Sequence, residues 1–133
     1  MADITRVVGL CIRNKELLVV HKNNEQTYIS LGGKIKVGES DIKCLEREVK
    51  EEIGCGISNP RYFDTFEGST YDTGESLEIR CYLVDLVGDI QLNPTDSVKG
   101  YLWVGRNYAA RGVKLASMLV SYIIPALIKK DLL

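Results

Sequence analysis

The chain has 133 residues, the length of one domain, and its 45% hydrophobic and 26% charged residues suffice for a packed core and exclude a disordered polymer. A formal net charge of −1 with mixed signs excludes the basic surface that a nucleic-acid backbone needs, so no nucleic-acid polymer is expected as a partner. Cys11, Cys44, Cys55 and Cys81 stand far apart, with no Cys-x-x-Cys pair and only His21 to help them, which argues against a zinc site and for reduced thiols.

The start, MADITRVVGL, lacks the cationic region, apolar run and cleavage site of a secretory signal, so a single cytoplasmic domain over 1–133 is expected. Ile4 to Ile12 is rich in β-branched residues and predicts a strand, Arg13-Asn14-Lys15 a turn, and Glu16 to Lys22 its hairpin partner. A polar loop follows, and Tyr28 to Leu31 leads as an extended segment into Gly32, Gly33 and Gly38, a loop whose backbone can approach a ligand closely. From Ser40 to Ile53 the apolar residues Ile42, Leu45, Val49 and Ile53 recur at spacings of three and four, the stripe of an amphipathic helix. Ser40 or Asp41 can cap its start, and Gly54 can turn left-handed after its end. Glu48, Glu51 and Glu52 fall together on a neighbouring face, where like charges repel unless a cation neutralises them. Clustered carboxylate oxygens are what a hard divalent cation takes.

Beyond the helix, Pro60 predicts a turn, Tyr62 to Tyr71 a strand, and Asp72 to Glu75 a turn. Leu77, Ile79, Cys81 and Leu83 alternate along one face of the longest apolar strand, which predicts a sheet centre, and Tyr101 to Val104 forms a last short strand. From Val113 the residues Leu115, Ala116, Met118, Leu119, Tyr122 and Ile123 predict a second helix over the sheet, with Pro125 kinking or interrupting it. Its apolar run falls short of the ~20 residues a membrane span needs.

The segment Gly33, five residues, Glu39, seven residues, then Arg47-Glu48-Val49-Lys50-Glu51-Glu52-Ile53-Gly54-Cys55 resembles the signature of the Nudix hydrolases. Cys55 stands where that signature has a bulky aliphatic residue. Upstream, Leu31 and Lys36 replace a Pro and a Glu common in the family, a departure in the loop that meets substrate. The resemblance implies an α/β Nudix fold, a mixed curved sheet sandwiched between helices (α/β/α). It also implies Mg²⁺-dependent cleavage, with Mn²⁺ able to substitute, of the pyrophosphate bond in a nucleoside diphosphate linked to another moiety.

By matched position, Glu48 and Glu52 are implied metal ligands, Glu51 a ligand or the group that orients water, the Gly32 carbonyl a further ligand, and Arg47 a support paired with Glu51 one turn on. Two readings of Glu39 stand, a second metal or the helix's positive end, and two of Asp96, a late-loop acid for the metal or a turn residue making local hydrogen bonds. Lys22, Gly33, Glu39 and Tyr71 are the substrate-facing candidates. The short chain resembles MutT-like enzymes that convert a (d)NTP to NMP and pyrophosphate. Dinucleoside polyphosphate or ADP-ribose-type substrates are the alternatives, with a non-catalytic nucleotide-binding module as a third, and oligomeric state is left open, a homodimer included.

Overall fold

The computed structural model describes residues 2–23, 25–70 and 73–133, so Tyr71 lies outside the described residues. Strand β1 (Ile4–Leu10) sends Val8 and Leu10 to one core and Val7 to another. After the two-residue β2 (Ile12–Arg13), β3 (Glu16–Lys22) does the same, with Leu17 and Val19 on one side and Leu18 and Val20 on the other. Strands buried on both faces belong between two layers. One covering layer is helix α1 (Asp41–Ile53), which buries Cys44, Leu45, Val49 and Ile53; the other is the C-terminal helical segment, which buries Leu119, Ile123, Ile124 and Leu127. This is the α/β/α arrangement that the resemblance implies.

Two sheets form the middle. Strands β4 (Leu31–Lys34), β5 (Gly56–Ser69) and β6 (Ser76–Val87) join β1 in the order β4-β1-β6-β5, and β1 runs parallel to β6 but antiparallel to β4. Strand β7 (Val98–Val104) closes the second sheet, β2-β3-β7. The predicted hairpin exists only at its tip: Asn14 and Lys15 take φ of 51° and 62°, a type I′ turn, and pair Arg13 with Glu16 and Ile12 with Leu17. The predicted strand over Ile4 to Ile12 breaks at Cys11, because β1 has neighbours on both edges and leaves none for β3, which pairs with β7 instead.

Helix α1 keeps its expected ends. The Ser40 hydroxyl accepts from the Lys43 N–H at 3.2 Å, and Gly54, at φ 73°, donates its N–H to the Lys50 carbonyl at 3.1 Å. Asp41 fastens the first turn to the central strand β6, accepting from Arg80 Nη1 at 2.8 Å and from the Tyr82 hydroxyl at 2.6 Å. Pro60 does not close a turn: it lies within β5, where the pairing with β6 shifts register between Ser58 and Arg61. A residue without an N–H is tolerated there because β5 is a sheet edge and the bulge needs no ladder bond from it.

The second helix starts later than the periodicity predicts, since Leu115 bridges to Tyr28 as extended chain and helical structure begins at Ser117. Pro125 does not interrupt it. A π-helical turn over Leu119–Ile123 precedes α2 (Ile124–Lys129), and the Ile124 N–H reaches back to the Leu119 carbonyl, a wider turn that carries the helix past the missing Pro125 donor. No helix among the described residues is long and apolar enough to cross a membrane.

The seating of α1 rests on residues such as Leu45, which is fully buried. Leu45→Ala should lower unfolding free energy by about 2–5 kcal/mol in denaturant titration, while Val37→Ala on the exposed loop should change it by less than about 0.5 kcal/mol.

Candidate functional site

The last turn of α1 points Glu52 inward between two strands. Its side chain is 3% exposed, and Oε1 accepts the Gly32 N–H at 3.0 Å. Oε2 is buried without a hydrogen-bond partner; Lys22 Nζ lies 3.8 Å away, close enough for charge attraction but too far for a hydrogen bond. Burial pushes the Glu52 carboxyl up to about 7, against the opposing pull of the Gly32 N–H and of Lys22. Lys22 itself ends β3 beside Val98 of β7, so two sheets meet at this carboxylate.

Arg47 organises the other acids. Its Nε and Nη2 grip Glu39 bidentately at 2.8 and 2.9 Å, and Nη1 donates to Glu48 Oε1 at 2.8 Å. The expected pair with Glu51 is present but looser, at 3.6 Å, and Glu51 is half exposed. These bonds, with the Lys36 N–H, hold the Glu39 carboxyl down at about 2, and the Glu39 hydrogen bonds raise Arg47 above its ordinary range. Glu39 is thus tied to Arg47 rather than placed at the helix's positive end alone. Glu48 presses its carboxyl against Gly33, where a Cβ would lie 2.5 Å from both Cδ and Oε1. A side chain at this position would have to displace the Glu48 carboxyl.

The remaining candidates separate. Gly32 meets the cluster through its N–H, the contact seen to Glu52. Asp96 spends Oδ1 on its own turn, accepting from the Val98 N–H at 3.2 Å and the Ser97 hydroxyl at 3.3 Å, although its loop touches the site where the Asn23 N–H donates to the Ser97 carbonyl. On the opposite face of the sheet lies a cavity of about 280 Å³, walled by Val8, Leu77, Ile79, Leu119 and Ile123, with Arg6 on its lining. Sequence reasoning missed Arg6. The available signal was its position in β1: Ile4, Val8 and Leu10 share its face and all join the apolar core.

A hard divalent cation fits this donor set by three observations: the orphaned, buried Glu52 Oε2, the glycine wall against the Glu48 carboxyl, and oxygen-only ligands. As the side chains stand, Arg47 holds Glu39 and Glu48, and no three His, Cys, Asp or Glu residues among the described residues converge on one point. Arg47 engages only Oε1 of Glu48, so a cation on Glu48 would share that carboxylate with Arg47.

The model of the NUDIX domain matches residues 3–117. The chain belongs to the NUDIX family. Nudix hydrolases in general depend on a divalent metal and act on a nucleoside diphosphate linked to another moiety. The Nudix domain is similar to the NAD-capped RNA hydrolase NudC of Vibrio atlanticus (strain LGP32), 38% identical over 83 residues, which is 62% of this chain and 29% of that relative. The similarity thus spans under a third of the relative's length. Its fold is shared with the E. coli ORF135 protein (21% identity, TM-score 0.72, 96% of this chain and 88% of that one). The MutT NUDIX hydrolase from Burkholderia pseudomallei is a second such neighbour (17% identity, TM-score 0.68, 77% and 82%).

In this Nudix domain the fit of Gly33 against Glu48 gives a direct test. Gly33→Ala should push the Glu48 carboxyl aside and lower kcat about a hundredfold or more, while circular dichroism and the thermal midpoint stay near wild type.

Proposed function

We propose that this Nudix domain hydrolyses a nucleoside triphosphate to the monophosphate and pyrophosphate with Mg²⁺, Mn²⁺ substituting. The observation that carries the reading is an apolar cavity behind the acidic site, whose wall residues Ile29 and Ser30 run directly into Leu31 and Gly32. At about 280 Å³ it falls just below the usual range of ligand pockets, roughly 300–1,000 Å³, and has room for no more than one nucleoside. The four cysteines, buried and free, support a reducing, cytoplasmic setting.

Glu48 and Glu52, with the Gly32 carbonyl, would hold the cation. Bound there, it supplies charge neutralisation to the diphosphate oxygens. Lys22, beside Glu52, adds positive charge where phosphate must sit. Glu51, half exposed and only loosely paired, orients a water and takes its proton as the water oxygen bonds to phosphorus and the bridging P–O bond breaks. Arg47 touches neither water nor phosphate in this scheme; it positions Glu48 and ties the glycine loop to α1 through Glu39. Asp96, with one oxygen in its turn, is left a second, outer role at most.

A second reading, hydrolysis of an NAD-type dinucleotide, is favoured by the similarity to a relative named for NAD-capped RNA. An open groove of about 420 Å³ lined by His21, Asn23, Glu25, Gln26 and Tyr28 lies beside Lys22 and offers room for a second moiety. Product analysis on a panel of nucleoside triphosphates, NAD, ADP-ribose and dinucleoside polyphosphates separates the two. A triphosphate should turn over fastest, giving monophosphate and pyrophosphate in equal amounts. Excess chelator should stop turnover and added Mg²⁺ restore it, and Glu48→Gln should reduce kcat at least about a hundredfold without unfolding. Fastest turnover of NAD would replace the first reading with the second, and binding without turnover would make the domain a regulatory module.

A further inference from the structure

Arg6 occupies a position that calls for a ligand. Its backbone is fixed in the sheet between β4 and β6, paired with Lys34 on one side and Ile79 on the other. Its side chain lines the apolar cavity with Val8, Ile79 and Leu119. Every other arginine is engaged among the described residues: Arg47, Arg61, Arg80, Arg106 and Arg111 in ion pairs, and Arg13 over the Trp103 ring. Arg6 has neither kind of partner among them. A guanidinium carries five N–H donors in a planar fork, and a fork at an apolar wall gains most from a planar group that presents two adjacent acceptors.

We propose that Arg6 is a specificity-determining residue that reads the nucleobase, selecting bases with two adjacent acceptor atoms on one edge. Guanine offers O6 and N7, and cytosine offers O2 and N3; adenine and uracil place a donor beside each acceptor on the corresponding edges and leave one prong of the fork unmatched. The apolar walls hold the ring's faces and contribute no discrimination among bases of similar size. A phosphate would also satisfy a guanidinium, but the lining of Val8, Leu77, Ile79, Leu119 and Ile123 is suited to a flat ring and not to a trianion. The assignment rests on the reading of the domain as a nucleoside triphosphate hydrolase.

The test is steady-state kinetics on GTP, CTP, ATP and UTP with Mg²⁺ for wild type, Arg6→Leu and Arg6→Lys, together with calorimetric binding of GMP, CMP, AMP and UMP to the metal-free protein. Leu continues the apolar pattern of Ile4, Val8 and Leu10, and Lys keeps the charge while losing the fork, so either variant carries the test if the other misfolds. Wild type should prefer GTP and CTP on the order of tenfold to a hundredfold in kcat/KM. Arg6→Leu and Arg6→Lys should both erase that preference, through KM more than kcat. Equal losses on all four substrates would assign Arg6 to phosphate and overturn the proposal, as would an unchanged preference or none in wild type. If wild type turns over no triphosphate, the functional reading falls, and selective binding of GMP and CMP that is lost in the variants still decides the role of Arg6.

Discussion

The Glu52 carboxylate is carried into the protein interior by α1 and has one hydrogen bond there, from the Gly32 N–H. A buried charge with a half-satisfied carboxylate is costly, of the order of several kcal/mol, and Lys22 at 3.8 Å offsets only part of it. Much of the surrounding architecture can be read as the means of holding that group in place. The Ser40 cap and the Asp41 bonds to Arg80 and Tyr82 fix where α1 starts, the stripe from Leu45 to Ile53 fixes its rotation, and Gly54 ends it one residue after the carboxylate's turn. Strand β4 then brings Gly32 to Glu52 and Gly33 to Glu48, two adjacent residues serving two adjacent acids.

The sheet separates two chemistries. On the α1 face stand the carboxylates, managed by Arg47 through its fork on Glu39 and its bond to Glu48. On the face of the C-terminal helical segment lies the apolar cavity, whose roof is the π-helical turn that brings Leu119 and Ile123 onto its lining. A nucleotide has the same division, a charged phosphate end and a flat, largely apolar base, and residues at the boundary, Arg6 and Lys22, belong to strands shared by both faces. Loops are permitted to vary around such a site because its acids and glycines sit on a helix and strands.

Helix α1 is legible in the sequence because its cap, stripe and stop are local signals that agree with one another, and the glycine and glutamate spacing makes the family legible with them. What escapes sequence reasoning is non-local. Nothing within Ile4 to Lys22 says that β1 will pair with β6, far along the chain, instead of with β3. Pro60 and Pro125 are breakers by local rules, yet an edge bulge and a π turn absorb them, outcomes set by where the neighbouring backbone lies. The same holds for the acids: spacing places Glu48, Glu51 and Glu52 on one side of a helix, but their fates, pressed on glycine, half exposed and buried, depend on β4. Arg6 shows the limit most clearly, since one charged residue on an apolar strand face becomes meaningful only once the cavity beneath it is seen.

The central claim is that the buried Glu52 carboxylate is there to be neutralised by a divalent cation. Thermal or denaturant unfolding of wild type and Glu52→Gln, each in chelator and in saturating Mg²⁺, measures it directly. In chelator Glu52→Gln should be at least as stable as wild type, since glutamine keeps an oxygen for the Gly32 N–H and removes the costly buried charge. In Mg²⁺ at a hundredfold excess over Kd, wild type alone should gain about 2.7 kcal/mol. An equal gain in both proteins, or none in either, would contradict the account.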